Sequence, residues 1–463
     1  MHEISEAGQA NPRAKALVDW DREHVGHYVI PFGHNSGFMV DHADNVSYYT
    51  SDGVEILDGS SQLMCVSLGY REEYKREVAD AVAAQIRRLP YSTNFWGFAN
   101  EATIAAAQGL AEIAPPGLVM FVFTPGGGES VETAFQLSRA YWKNKGTWKY
   151  KVISLQNSYH GVYFGSGSAT KLGNGQLTRL YDPLAPGFIA APDYHCYRCP
   201  LGLTYPQCGL QCAQQIENII QVEGPDTVAA VIVEVEHGSA GCLPSPPGYM
   251  QAVRDICDRH GVHLIIDEVM TGFGRTSVDG NAFACQISGV SPDFMTMAKN
   301  ITSAYLPLGA VGITKDVVEG LDGSVLSGPT YAGHPVSCAA AAKVMEIYKR
   351  DRIFQHAAEI GVYARAALED RVVARIPEVD HVSGFGMLLG LEITKNPETK
   401  EGYSHDALTA LQDGALARGL YIRLSAAGSR IMFCPPLVST EREIDRMIGI
   451  LFDAFKGGSW KEE

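Results

Sequence analysis

The sequence predicts an α/β protein. One large domain is built on a mostly parallel sheet covered by helices, and a smaller α+β domain is assembled from both chain ends. Three observations carry this prediction. Short apolar runs rich in branched residues alternate with helix-period segments through the middle of the chain, the pattern of strands buried on both faces and joined by crossover helices. After about residue 335 the rhythm changes to paired helices and isolated strands. A chain of 463 residues also exceeds what one small core needs, so a second unit is expected. The boundaries are set at 1–74 and 336–463 for the two parts of the small domain and 75–335 for the large one.

In chain order, Leu118 to Thr124 is the first predicted strand of the large domain, followed by Gly126-Gly127-Gly128 and a helix from Glu129 to about Lys143. Lys151 to Gln156 and Thr227 to Glu236 are further strands. Pro247 to His260 has helical spacing and runs into Val262 to Val269, a strand rich in branched residues. Phe294 to Ala298 and Ala310 to Thr314 complete the set. Beyond them come helices over Val336–Lys349 and Ile353–Leu368, a strand at Met387–Ile393, a helix at His405–Ala417, a strand at Leu420–Leu424 and a last helix from Glu441 to Phe455.

Composition bounds the function. Hydrophobic residues make up 46% and charged ones 19%, an ordinary globular balance. The net charge of −15 disfavours nucleic acid and anionic membranes as partners. No run of 18 apolar residues and no apolar leader in the first fifteen positions are found, so a soluble, cytoplasmic protein is expected. The ten cysteines are then mostly thiols. Four of them, Cys196, Cys199, Cys208 and Cys212, are spaced C-x2-C-x8-C-x3-C, which thiolate ligands of zinc could satisfy. Pro200, Gly202, Pro206 and Gly209 between them mark an irregular excursion with incidental thiols, and no metal is expected there.

Three strand ends carry candidate chemistry. The glycines at 126–128 stand between a strand and a helix, where exposed N–H groups cradle phosphate; alone, such a turn is as often tight packing. Asp267 ends the strand Ile265-Ile266-Asp267, at the edge where parallel sheets bind ligands, although a lone acid there can simply cap the next turn. Lys299 follows the apolar strand before it. Its charge must be solvated, paired or lost, and in a dry site the free amine becomes a nucleophile. The bland reading is a lysine reaching out to water. Each bland reading is adequate singly, but the three together are what pyridoxal phosphate (PLP) requires. The lysine carries the aldehyde, the acid holds the pyridine nitrogen protonated and the turn takes the phosphate.

With these residues in place, the chain resembles the class III aminotransferases of PLP fold type I over nearly its whole length. The resemblance rests on Ile266-Asp267-Glu268-Val269-Met270-Thr271-Gly272-Phe273-Gly274-Arg275-Thr276, on Ala298-Lys299, on Thr330-Tyr331-Ala332-Gly333-His334-Pro335 and on Pro435-Pro436-Leu437. It implies that Lys299 binds the cofactor and moves the proton between substrate Cα and cofactor C4′, and that Asp267 pairs with the pyridine nitrogen. Tyr159 would stack on one face of the ring and Val269 press on the other. Gly127 and Gly128 would bind phosphate through their backbone, and Glu234 would lie close to the cofactor. Thr330 would reach the phosphate of the partner subunit, implying an obligate homodimer or higher homo-oligomer. Departures are Pro125 and Gly128 where the family usually has a hydroxyl residue, Val235 for proline, and Asn300 for the glycine after the lysine. Asparagine tolerates a left-handed backbone, so that turn is expected to survive.

The resemblance also bears on substrates. The arginine that precedes Pro-Pro-Leu in relatives acting on ornithine or 4-aminobutyrate is replaced by Met432, whereas Arg423 matches the mobile arginine of ω-aminotransferases that use pyruvate. A guanidinium grips carboxylates and sulfonates with two prongs. Met64, standing where many such enzymes have tryptophan, and Trp96 are assigned with Arg423 to the substrate side. The expected reaction moves nitrogen from a primary amine or ω-amino acid such as β-alanine or taurine to pyruvate or 2-oxoglutarate. An aminomutase of the same fold and a non-catalytic PLP-fold binding protein are the alternatives.

Overall fold

The computed structural model describes residues 11–175, 178–324, 327–458 and 460–461. The expectation that no leader segment opens the chain falls mostly on residues 1–10, outside the described residues. The large sheet has seven strands: β1 (Leu118–Thr124), β2 (Lys151–Leu155), β3 (Phe188–Ala191), β4 (Val228–Val233), β5 (His263–Asp267), β6 (Phe294–Met297) and β7 (Gly309–Thr314), in the order β1-β7-β6-β5-β4-β2-β3. Only β7 runs against the others, because it pairs antiparallel with both β6 and β1. The remaining neighbours are parallel. The sheet is therefore mostly parallel, as expected, and the C-terminal ends of β1, β4, β5 and β6 share one edge.

Alternate residues of the same strands serve two cores, which is why these strands read as continuous apolar runs. Ile232, Ile265, Phe294 and Val311 pack with Val131, Ala134 and Phe135 of the Gly127–Asn144 helix. Val231, Val233, Ile266 and Met295 join the opposite core with Val253 and Ile256 of the Tyr249–His260 helix and Ala341 of the Pro335–Arg350 helix.

Both chain ends build the smaller part. Strands Val40–Asp44, Ser47–Thr50 and Glu55–Asp58 form an antiparallel meander, to which Leu420–Tyr421 adds in parallel. A second sheet contains Val379–Phe385, Leu388–Asn396, Arg430–Phe433 and Arg423–Leu424. The single strand expected over Leu420–Leu424 is thus two, one in each sheet, with the fully buried Ile422 at the crossing. The two halves adjoin with no glycine, proline or turn residue between them, so sequence alone did not show the break. Also unforeseen were β3, the Val379–Phe385 and Arg430–Phe433 strands and the Gln211–Glu223 helix, which takes Cys212 out of the irregular excursion. Arg430 hid its strand: it is 1% exposed, with its charge satisfied by the Glu392 carboxylate on the next strand.

Buried Arg275, from the signature segment, ties the domains together. Its guanidinium donates to the Pro435 carbonyl (2.5 Å) and to Ser61 Oγ (2.9 Å), joining the large domain to both chain ends. Glu268 has a structural role, with its buried carboxylate accepting the amides of Ala284 (3.1 Å) and Cys285 (2.7 Å). Among the described residues no helix is long and apolar enough to cross a membrane.

Candidate active site

A cavity of about 450 Å³ opens at the C-terminal edge of the sheet, lined by the turns after β1, β5 and β6 together with Tyr159–Tyr163 and Glu234. Parallel strands put it there, because main-chain ends and helix N-termini converge on that edge.

The turn after β1 leads into the Gly127–Asn144 helix, whose N-terminus no side chain caps. The hydroxyls nearby are committed elsewhere: Ser130 Oγ bonds to Thr124 Oγ1 (2.7 Å) and to the carbonyls of Gly126 (3.0 Å) and Met297 (3.1 Å). The N-terminus therefore faces the cavity with backbone N–H groups and a positive dipole end, the surroundings an anion needs. Side chains could not replace the two glycines there. A Cβ on Gly127 would lie 2.8 Å from Val269 Cγ1, and one on Gly128 2.7 Å from the Tyr163 ring.

Asp267 is the last residue of β5 and 4% exposed. Its Oδ2 lies 2.8 Å from His160 Nδ1, and its Oδ1 accepts the Val269 amide at 3.0 Å. Lys299 follows β6 after Ala298 in a left-handed conformation, φ +46°. The strained residue of this turn is the lysine itself, and Asn300, thought to accommodate it, is not left-handed. Asn300 is instead a buried strut, donating to the Gly272 carbonyl (3.2 Å) while its own carbonyl accepts from Tyr348 (2.7 Å). Burial is the largest influence on the Lys299 amine and lowers its pKa; Arg423 adds to this, while Cys65, Asp267 and Glu234 oppose it.

Tyr159 and Val269 line the cavity, as does Glu234, whose Oε2 accepts the Tyr159 amide at 3.3 Å. Burial, then the Asp267 charge, raises the Tyr159 phenol pKa. Arg423 is half-buried and hydrogen-bonded to Tyr421. Its Nε has no hydrogen-bond partner and its guanidinium has no ion pair with a carboxylate of the described residues. Arg423 stands directly across the ladder from Met432, so the two positions compared for carboxylate binding are neighbours. Met64 is not on the cavity wall; it packs behind it, buried, with Met270, Met432, Leu388, Cys242 and Cys434, and Met270 reaches the wall. Trp96 is 86% exposed and also lies off this wall. Thr330 is exposed, with its carbonyl accepting from Tyr91 Oη at 2.8 Å. Cys196, Cys199, Cys208 and Cys212 border a separate small recess. Among the described residues no group of three metal-ligating side chains is arranged to hold an ion.

Sequence reasoning missed His160 and His237, both buried against cavity carboxylates. His160 was on view beside Tyr159, but nothing in its neighbours says that it faces Asp267.

Ala304, on the cavity wall, also holds a left-handed backbone, φ +64°. That conformation costs an L-residue roughly 1–2 kcal/mol, partly offset in glycine by its freer unfolded chain. Ala304→Gly is expected to stabilise the protein by about 0.5–1 kcal/mol. Thermal unfolding checks this, and a lower Tm would show that the methyl packs favourably.

Comparison with known proteins agrees with the fold. The Aminotransferase class-III family matches residues 31–455. A probable aminotransferase of Mycobacterium tuberculosis is 37% identical over 417 residues, covering 88% of this chain and 87% of that protein. A putrescine–pyruvate aminotransferase of Pseudomonas aeruginosa is 31% identical, covering 93% and 94%. The crystal structure of a thermostable (S)-enantioselective omega-transaminase from Thermomicrobium roseum superposes with a TM-score of 0.89 at 34% identity, covering 96% and 98%. The chain belongs to the class III aminotransferases and has their two-domain α/β fold. Enzymes of this family depend on PLP and act on an amine and a keto acid.

Proposed function

We propose that this enzyme uses PLP to move nitrogen from a primary amine or ω-amino acid, such as β-alanine or taurine, to pyruvate or 2-oxoglutarate. One observation carries the reading: an uncapped helix N-terminus, a strand-end carboxylate and a lysine of lowered pKa line one cavity. The cradle fits a phosphate because glycine occupies the two positions where a Cβ would collide. Bound PLP would supply an electron sink for the charge left when the substrate's amine-bearing carbon loses its proton. Lys299 would hold the cofactor and take up the proton released from that carbon. Asp267 holds the proton on the pyridine nitrogen, and His160 keeps the carboxylate aimed. Tyr159 and Val269 flank the ring, and Gly127 and Gly128 offer their amides to the phosphate.

Arg423 supports the two-substrate part of the reading, since a guanidinium without an internal carboxylate is free for the acid of an incoming substrate. Arg423→Ala is expected to weaken the oxo-acid half-reaction by about 2–4 kcal/mol, roughly 30- to 1000-fold in kcat/KM, and to spare a simple amine lacking an acid. Single-turnover kinetics of each half-reaction separate the two, and equal losses would make Arg423 structural. The relative named for putrescine and pyruvate is consistent with a terminal amine donor.

A homodimer sharing two sites, with Thr330 turned to the partner's phosphate, completes the proposal. It is supported by the exposure of Trp96, Phe98, Phe164 and Tyr331, large apolar groups of the kind association buries. Sedimentation tests the dimer. For the activity, the protein mixed with PLP should show a visible band that a panel of amines bleaches, with pyruvate restoring it.

A further inference from the structure

Two carboxylates line the cavity, and each is met by its own buried histidine. His160 Nδ1 lies 2.8 Å from Asp267 Oδ2, and His237 Nδ1 lies 2.9 Å from Glu234 Oε2. Neither histidine has a hydrogen-bond partner for its buried Nε2. Facing a carboxylate on one side only, each imidazole places a proton on Nδ1 and donates it there.

The second pair is the more elaborate. His237 is fully buried, and its ring stacks on Tyr194 with centroids 4.3 Å apart and planes 7° from parallel. Tyr194 Oη in turn donates to the Glu234 carbonyl at 2.8 Å. The main chain of His237 pairs with Leu243 in a two-residue ladder. The imidazole is therefore held in plane and in place, and among the described residues it has one polar contact, Glu234.

Glu234 Oε2 also accepts the Tyr159 amide, and Tyr159 is followed directly by His160, which holds Asp267. One continuous path thus runs from His237 through Glu234, the Tyr159–His160 peptide and Asp267. A buried carboxylate that loses its donor must take up a proton or find another cation. In this cavity one such group is Lys299, whose pKa Glu234 already influences.

We infer that His237 is a positioning residue: its Nδ1–H fixes Glu234 so that the carboxylate holds the Tyr159 loop against the cofactor and does not turn to Lys299. The inference rests on the reading of the cavity as the PLP site and adds to it a residue that touches neither cofactor nor substrate.

Three substitutions isolate the hydrogen bond. His237→Phe keeps a ring to stack on Tyr194 and removes the donor. His237→Asn puts an amide N–H near the Nδ1 position, and His237→Gln puts one near Nε2, where nothing accepts it. The readout is the dissociation constant of PLP from the apo-protein, followed by quenching of intrinsic fluorescence, alongside the Tm of each apo-protein. Affinity is expected to fall about 10- to 100-fold in H237F and H237Q, the range for a lost hydrogen bond to a charged group. H237N should recover most of the loss, and the apo-protein Tm values should not follow the affinities.

The inference is overturned if H237F binds PLP as the wild type does, if H237N is as weak as H237F, or if Tm falls in step with affinity. Wild-type protein that bound no PLP would overturn the functional reading and this inference together. Wild type that bound it, with H237F equal, would overturn this inference alone.

Discussion

Lys299→Ala is expected to abolish turnover, lowering kcat by about five orders of magnitude, the scale seen when an enzyme loses its nucleophile. No other amine can take its place. Among the described residues lining the cavity Lys299 is the only lysine. The fold should survive. The substitution removes an amine that burial disfavours in its charged form, and alanine relieves none of the packing beneath it, since Ala298 and Asn300 carry the buried contacts of the turn. The variant's Tm should therefore not fall. Steady-state assays with the best donor of an amine panel, together with the loss of the amine-sensitive visible band, check this result. Wild-type activity in the variant would remove the basis for assigning the cavity.

Asp267→Asn is expected to lower kcat by roughly 10³- to 10⁴-fold, the effect known for an isosteric change that upsets a buried carboxylate–histidine pair. The carboxylate now accepts from two donors, His160 Nδ1 and the Val269 amide. An asparagine can accept with only one oxygen, and its amide then faces the other donor. If the histidine turns tautomer to compensate, its N–H moves to Nε2, which is buried without an acceptor. Every arrangement leaves one polar group unsatisfied, and the negative charge is lost as well. Single-turnover rates in both directions read the effect, and Asp267→Glu, which keeps the charge at a different reach, should retain more activity than the amide. A kcat within tenfold of wild type in D267N would mean that the charge at this strand end is dispensable.

Fold and chemistry differed in how far the sequence could disclose them. β1, β5 and β6 were readable because each is an apolar run closed by a residue out of keeping with it, glycine, aspartate or lysine. The Arg430–Phe433 strand was not, because its buried arginine is satisfied by Glu392, Ser383 and the Gly241 carbonyl, all far away in sequence. The split at Ile422 was hidden because no glycine, proline or turn residue separates its two halves. At the site, groups set by strand ends were legible, and those set by tertiary packing were not. His237 lies three residues from Glu234, yet it becomes a partner only because a two-residue ladder and the Tyr194 ring turn it inward. Met64 shows the converse: its alignment with a substrate-facing position says nothing of the left-handed turn, φ +54°, that carries it behind Met270.

The crossing at Ile422 has a kinetic meaning for the enzyme. Leu420 and Tyr421 are laddered to one sheet, and Arg423 and Leu424 to another, with a wholly buried residue between them. The arginine therefore rides on a rigid rail, and any swing proposed for its guanidinium is confined to side-chain torsions. Rotamer changes take picoseconds to nanoseconds where side chains are free, whereas loops and lids need microseconds or longer. A pocket that resets by torsion alone is ready for the second substrate long before the first product has left. If Arg423 serves both substrates, the interval between the two half-reactions is expected to follow the departure of product.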